Sequence, residues 1–202
     1  MSIAQFLTIF ISAVFINNVI LSRFLGLCPF IAISKQTKPA LAMSLAVTFV
    51  ITMSSMITWF IYRFLLIPFH MEYLRTVSFI LVIATFVQFV EMVIRKVSPA
   101  MHRFFGIYLA LITTNCAVMG VAVLNSDMFF KGSKPLAGSF VYSLFQGVCV
   151  GIGFTLAMLL MSGIRERLDF CNIPKAIKDA PIAFIIAALM GLSFLGFNGF
   201  KF

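Results

Sequence analysis

The chain has 202 residues, of which 62% are hydrophobic and only 10% charged, with a mean hydropathy of +1.11. Soluble domains carry about 25% charged residues and a spanning helix needs about 20 mostly apolar residues to cross a hydrocarbon core of roughly 30 Å, so this length holds about six spans with short loops and leaves no room for a soluble domain. The net charge of +9 does not point to nucleic acid, because the basic residues sit scattered at the ends of apolar runs with no dense stripe or interleaved aromatics; lipid headgroups and topology account for it.

In chain order the apolar runs predict spans near residues 4–30, 40–62, 74–95, 103–124, 138–162 and 181–200. The first lacks a basic leading region and an Ala-x-Ala site, and Arg23 follows its apolar run, so it reads as a retained span and not a cleaved signal. The connections carry turn and charge signals: Ser34 to Pro39, Pro68 to Arg75, Arg95 to Arg103 around Pro99, Asn125 to Pro135, and Arg165 to Pro181. The expected fold is therefore all-α integral membrane, a single membrane domain over residues 1–202.

Orientation follows from the basic residues. Arg23, Lys35, Lys38, Arg95, Lys96, Arg103, Arg165, Arg167, Lys175 and Lys178 fall on one side, while Arg63, Arg75, Lys131, Lys134 and Lys201 fall on the other. The positive-inside rule places both termini outside the cytoplasm. Three spans per half is an odd number, so a duplication of residues 1–100 and 101–202 would give two inverted three-helix repeats. A short internal echo accompanies this: Asn17-Asn18 before Phe24-Leu25-Gly26-Leu27-Cys28 in the first span, Phe105-Gly106 before Thr113-Thr114-Asn115-Cys116 in the fourth. Such residues recur by chance in apolar chains, and the echo alone does not establish a duplication.

Cys28 precedes Pro29, which has no N–H to offer Leu25, so the helix is expected to break near the thiol. Broken backbone at membrane depth must be buried in protein or face a cavity, which makes Cys28 a candidate ligand. Cys116 follows the polar cluster Thr113-Thr114-Asn115, whose hydroxyl and amide groups suit hydrogen bonds to a thiolate or sulfide. The competing reading of any one intramembrane cysteine is a small buried hydrophobe, and that is the expectation for Cys149 and Cys171. No C-x-x-C pair is present, and a disulfide framework is not expected. Two thiolates do not complete a four-thiolate cluster, so a second chain supplying two more is the simpler arrangement.

Glu91, near the end of the third span, has two open readings: an acidic residue on an ion path, or a helix-end anchor paired with Arg95 at i+4. Arg23 either reaches to the headgroups or meets an acidic partner. Arg165-Glu166-Arg167 reads as a cytoplasmic anchor or a docking point for a soluble partner. His70 and His102 lie in loops without ligand spacing, which gives haem or zinc little support.

Five segments, Asn17-Asn18-Val19 to Phe30, Leu74-Arg75-Thr76, Glu91-Met92-Val93, Leu111 to Val118 and Ile164 to Leu168, resemble the family shared by the A-type and E-type subunits of Rnf-type ion-translocating electron-transport complexes and by the D-type and E-type subunits of the Na+-translocating NADH:quinone reductase. The resemblance runs nearly end to end, and Leu-Cys-Pro-Phe and Thr-Thr-Asn-Cys-Ala-Val are closest to the Rnf A type. It implies six helices in two inverted halves, each giving one cysteine, here Cys28 and Cys116, to an intramembrane [2Fe-2S] cluster shared with the homologous, oppositely oriented E-type subunit. The implied role is an electron relay in the bacterial inner membrane, within a complex that passes electrons between ferredoxin and NAD+ as Na+ or H+ crosses; related complexes serve a redox-sensing transcription factor instead. Two other classes remain from the residues alone. A small inverted-repeat secondary transporter would explain Pro29, Asn115 and Glu91 without iron, and a purely structural membrane protein would use the cysteines for packing.

Overall fold

Helices form along the apolar runs, and the computed structural model describes residues 3–68, 72–97, 111–112, 114–130, 136–168, 170–171 and 180–196. Among the described residues all regular structure is helical. In chain order it comprises α1 (Ile3–Ile11) closed by a π turn at Ser12–Ile16, α2 (Leu27–Ile33), α3 (Thr37–Ile61) closed by a π turn at Tyr62–Leu66, and α4 (Arg75–Val97) after a 3-10 turn. Then follow α5 (Cys116–Asn125) closed by a π turn at Ser126–Phe130, α6 (Leu136–Leu168) and α7 (Ala180–Leu195).

Three helical stretches among the described residues are long and apolar enough to cross a membrane: Thr37–Leu66, Arg75–Val93 and Gly138–Leu168. At about 1.5 Å per residue the first and last exceed the roughly 30 Å of a hydrocarbon core with turns to spare. Phe6–Ile16, Cys116–Met128 and Pro181–Leu195 are apolar but shorter.

The differences from the expected spans have local causes. The first span is not one helix: residues 17–26 leave the helical path, with Phe24 at φ 54° and Gly26 at φ 84°. Glycine tolerates that left-handed backbone, whereas Phe24 adopts it at a cost of roughly 1–2 kcal/mol. α3 begins before residue 40 because Lys38 and Pro39 occupy the first turn, where an N–H has no helical partner to lose; Ala40 N bonds Gln36 O at 3.2 Å. α6 runs on to Leu168, so Arg165, Glu166 and Arg167 form its last turn and not a loop, and cations there complement the helix's negative end. Asn125 closes α5 instead of opening a loop. Of the expected span 103–124, residues 103–110 and 113 lie outside the described residues, as do His70, His102, Lys131, Lys134 and the stretch 172–179.

The chain divides into two compact units, residues 1–48 with 149–202 and residues 49–148, and the divisions fall inside α3 and α6. In the first unit, α2 and the π turn at Ser12–Ile16 pack on α7. Ile20, Phe30, Val47, Phe154, Met158 and Met161 fill its core. Thr48 on α3 meets α6 at Gly151, with its hydroxyl 3.1 Å from Gly151 O; a Cβ at that glycine would overlap the Thr48 methyl group. In the second unit, α4 packs on α5 through a stripe spaced at four residues, Phe79, Ile83 and Val87, all buried. Much of the opposite side of α4, including Val77, Leu81 and Phe89, is exposed, as expected of a helix with one protein-facing stripe.

Polar glue complements the small residues, because association in lipid gains nothing from apolar contact alone. In the second unit the fully buried Asn125 donates through Nδ2 to Ser55 Oγ and Ser143 Oγ, each at 3.2 Å. Trp59 Nε1 lies 3.4 Å from Ser139 Oγ, and its ring meets Phe60 and Phe140 edge-on. Arg75 pairs with Asp127 at 2.7 Å, the aspartate half exposed. Pairs of that exposure contribute about 0–1 kcal/mol, so Asp127→Asn is expected to shift the thermal midpoint of the detergent-solubilised protein by at most roughly 2–4 °C, and a larger drop in a melting assay would assign this pair a structural role.

Candidate functional site

The interruption of the first span is stabilised by one side chain. Asn18, 1% exposed, donates through Nδ2 to Val14 O at 3.1 Å and to Gly153 O on α6 at 3.0 Å, and its Oδ1 accepts Ile20 N at 3.1 Å. Each backbone group left free by a break at membrane depth costs several kcal/mol unless bonded; this amide serves two of them, Val14 O and Ile20 N, and ties the break to α6 through Gly153 O. It approaches α6 where there is room only for a hydrogen: a Cβ at Gly153 would lie 3.2 Å from Ala13 O and 3.3 Å from Asn18 Nδ2. Beyond the break, α2 begins at Leu27, and Cys28 sits on its first turn with an exposed thiol. Pro29 falls in the same turn, where its missing N–H costs nothing, and the neighbouring Phe30 is buried.

The far end of α2 is held by Arg165. Its Nη1 donates to Ile31 O and to Ser34 Oγ, both at 2.8 Å, and the residue is 7% exposed. A guanidinium placed on the last carbonyls of a helix meets the negative end of the helix dipole; among the described residues no carboxylate pairs with it. The triplet read as an anchor thus divides: Arg165 turns inward, while Glu166 and Arg167 are exposed. An arginine at the end of an apolar run gives no sequence signal of which way it turns, so sequence reasoning missed this role.

In the second unit Cys116 opens α5. Asn115 caps the helix in extended conformation, its Oδ1 accepting Ala117 N at 3.0 Å, and its own N–H reaches back to Ile112 O at 3.3 Å. The parallel with Asn18, whose Oδ1 also accepts the N–H two residues on, is local and specific. The two amides differ in their other half. Asn18 Nδ2 has two acceptors, whereas Asn115 Nδ2 is buried with no acceptor among the described residues. The Cys116 thiol is exposed at the end of α5 that favours negative charge.

Of the remaining cysteines, Cys149 is buried on α6 and Cys171 is exposed, its thiol 3.8 Å from Arg167 O. Cys28 belongs to the first unit and Cys116 to the second. Glu91 is half-buried on α4 with no ion pair among the described residues; the Arg95 side chain expected to meet it lies outside them. Arg23 is exposed in the interrupted stretch, with no acidic partner among the described residues.

Both motif cysteines are exposed, and Asn115 Nδ2, without an acceptor among the described residues, is a donor of the kind that sulfur acceptors take up. Among the described residues no three His, Cys, Asp or Glu side chains gather closely enough to hold a metal ion.

Residues 6–201 match the family described as "Rnf-Nqr subunit, membrane protein". Three curated relatives align over nearly their whole length. The A-type subunit of the Na+-translocating ferredoxin:NAD+ oxidoreductase complex of Acetobacterium woodii is 49% identical over 96% of either chain. The A-type subunit of the ion-translocating oxidoreductase complex of Azoarcus is 49% identical over 97% of either chain. The A-type subunit of the proton-translocating ferredoxin:NAD+ oxidoreductase complex of Clostridium ljungdahlii is 46% identical, again over 97% of each.

Proposed function

The chain belongs to the Rnf-Nqr family of membrane subunits, and we propose on that footing that it is an electron-relay subunit of an ion-translocating ferredoxin:NAD+ oxidoreductase complex, in which Cys28 and Cys116 hold a [2Fe-2S] cluster together with two thiolates of a homologous E-type subunit. The observation that carries the reading is local: both motif thiols stand exposed on the first turns of helices that begin beside an asparagine-stabilised interruption, while Cys149 is packed away inside α6.

When bound, such a cluster supplies a one-electron carrier at membrane depth. The chain's own residues position and tune it. Asn18 closes the backbone around the first break and Arg165 fixes the end of α2, so the Cys28 turn is held from both ends. Asn115 sets the start of α5 and hence the Cys116 backbone. Neither unit needs a nucleotide or flavin motif for this work, because a relay needs only ligands and position.

The inverted three-helix repeat belongs to the same proposal. Supporting it, each unit combines one interrupted or short span bearing a motif cysteine, one further span and a part of both α3 and α6, and exchanging the halves of the chain converts either list into the other. A Lys-Pro pair marks the start of both long helices in the sequence, Lys38-Pro39 within the first turn of α3 and Lys134-Pro135 just before α6. The chain would lie in the cytoplasmic membrane of a bacterium with both termini periplasmic, in keeping with the distribution of basic residues. The relatives are named for different ions, Na+ in one and protons in another; Glu91 is our candidate for the ion path in either case.

The test is iron and acid-labile sulfide analysis, with low-temperature electron paramagnetic resonance, on this chain co-purified with its E-type partner. Iron and sulfide in equal amounts, with a reducible two-iron signal, are expected. A pair that transfers electrons within the complex yet holds no iron would return the chain to the structural or transporter class.

A further inference from the structure

Asn115 presents a chemical imbalance that the capping role does not use. Its Oδ1 is fixed as the acceptor by the bond from Ala117 N, which assigns the other side of the amide as an NH2 group. That group is buried, in a residue 4% exposed, and finds no acceptor among the described residues. A buried donor left empty costs about 1–3 kcal/mol, and the equivalent group on Asn18 has two acceptors. Other residues cap a helix as well as asparagine does: serine, threonine and aspartate provide the same acceptor. Aspartate has no donor at all, and serine and threonine have only the O–H of the same oxygen that makes the cap, whereas asparagine carries a separate NH2 group with two donors. The amide is one residue from Cys116, whose thiol is exposed at the same helix end.

We propose that Asn115 Nδ2 donates a hydrogen bond to sulfur at the Cys116 side of the shared cluster and thereby raises its reduction potential. This rests on the cluster assignment above and goes beyond it by naming a tuning residue and giving its sign. Reduction adds one electron and so one negative charge to the iron–sulfur unit, part of which resides on sulfur. A donor beside sulfur favours that more negative form, and hydrogen bonds to sulfur are among the determinants of cluster potential. The structure also sets an asymmetry: the Asn18 amide, saturated by Val14 O and Gly153 O, has no donor left for the Cys28 side.

The experiment compares the co-purified pair carrying wild-type chain, Asn115→Asp or Asn115→Ala in a reductive titration followed by electron paramagnetic resonance. Asn115→Asp keeps the cap acceptor, removes the donor and adds a negative charge that itself disfavours reduction; Asn115→Ala removes acceptor and donor without adding charge, so the shift assigned to the donor is the one that Asn115→Ala shows. Both variants are expected to retain iron and to become harder to reduce, by at least tenfold in the reduction equilibrium, about 59 mV for one electron. Three outcomes overturn the proposal: a midpoint in Asn115→Ala equal to that of wild type, a midpoint in Asn115→Asp equal to that of wild type, or a pair that no longer assembles in Asn115→Asp, which would give the donor to a partner's backbone. A wild-type pair without any two-iron signal would defeat the cluster assignment itself, so the two failures are told apart by the control sample.

Discussion

Replacing Cys28 with serine in the co-purified pair is expected to abolish the two-iron signal and to leave the pair with less than a tenth of its wild-type iron, and Cys116→Ser is expected to do the same. Serine is the closest isostere of cysteine, but its hydroxyl is not a thiolate, and thiolates are what iron–sulfur clusters require. Cys149→Ser is the control with the opposite expectation. Cys149 is 1% exposed in α6 between its packing neighbours, so the substitution buries a hydroxyl that can bond a carbonyl one turn back, and iron content should remain as in wild type. Full signal in either motif variant, or loss of signal in Cys149→Ser with folding intact, would reassign the ligands.

The second large effect belongs to Arg165. Arg165→Met retains most of the apolar stem and deletes the guanidinium, leaving Ile31 O and Ser34 Oγ without their donor. Hydrogen bonds from a charged group contribute about 1.5–3 kcal/mol each, so the loss should be about 3 kcal/mol or more, a fall in melting temperature of roughly 6–12 °C for a chain of this size. Arg165→Lys supplies a single ammonium in place of the fork and should recover part of the loss. Thermal unfolding of the detergent-solubilised protein, followed with a thiol-reactive dye after the exposed thiols have been blocked, reads the midpoint through the release of buried Cys149. An unchanged midpoint in Arg165→Met would show that α2 is held by its apolar contacts, of which buried Phe30 is the main one.

How much of this is legible in the sequence depends on the scale of the signal. The long apolar stretches of α3, α4 and α6 are legible because membrane solvation selects on composition over about 20 residues, and their ends are legible to within a few positions at Pro39, Arg75 and Arg165. The cysteine motifs are legible as candidates because proline after Cys28 and a polar cluster before Cys116 interrupt otherwise apolar runs. Local pattern places the interruption of the first span too near Pro29. Proline is tolerated in the first turn of α2, and the break is made upstream by Asn18, Phe24 and Gly26, through hydrogen bonds to a glycine far along the chain that no local pattern encodes. The inward turn of Arg165 is hidden for the same reason, since its partners are on α2. Asn125 resembles the opening of a loop because asparagine usually marks one; here serines on two other helices accept from its Nδ2 and keep it in α5.

The bond from Asn18 to Gly153 joins residues separated by 135 positions, and Arg165 reaches back across 134 to Ile31. A chain emerging from the ribosome at about 5–20 residues per second therefore presents its first span on the order of ten seconds before the residues that complete it. During that interval the Asn18 bonds to Val14 O and from Ile20 N can form at once, whereas the second Nδ2 hydrogen, whose acceptor is Gly153 O, has only lipid, translocon or another protein to turn to. Insertion of this protein is consequently not a series of independent spans settling in order of synthesis. The N-terminal segment must be sheltered until α6 arrives, and a message truncated before residue 153 would yield a chain whose opening span remains for the membrane's quality-control proteases.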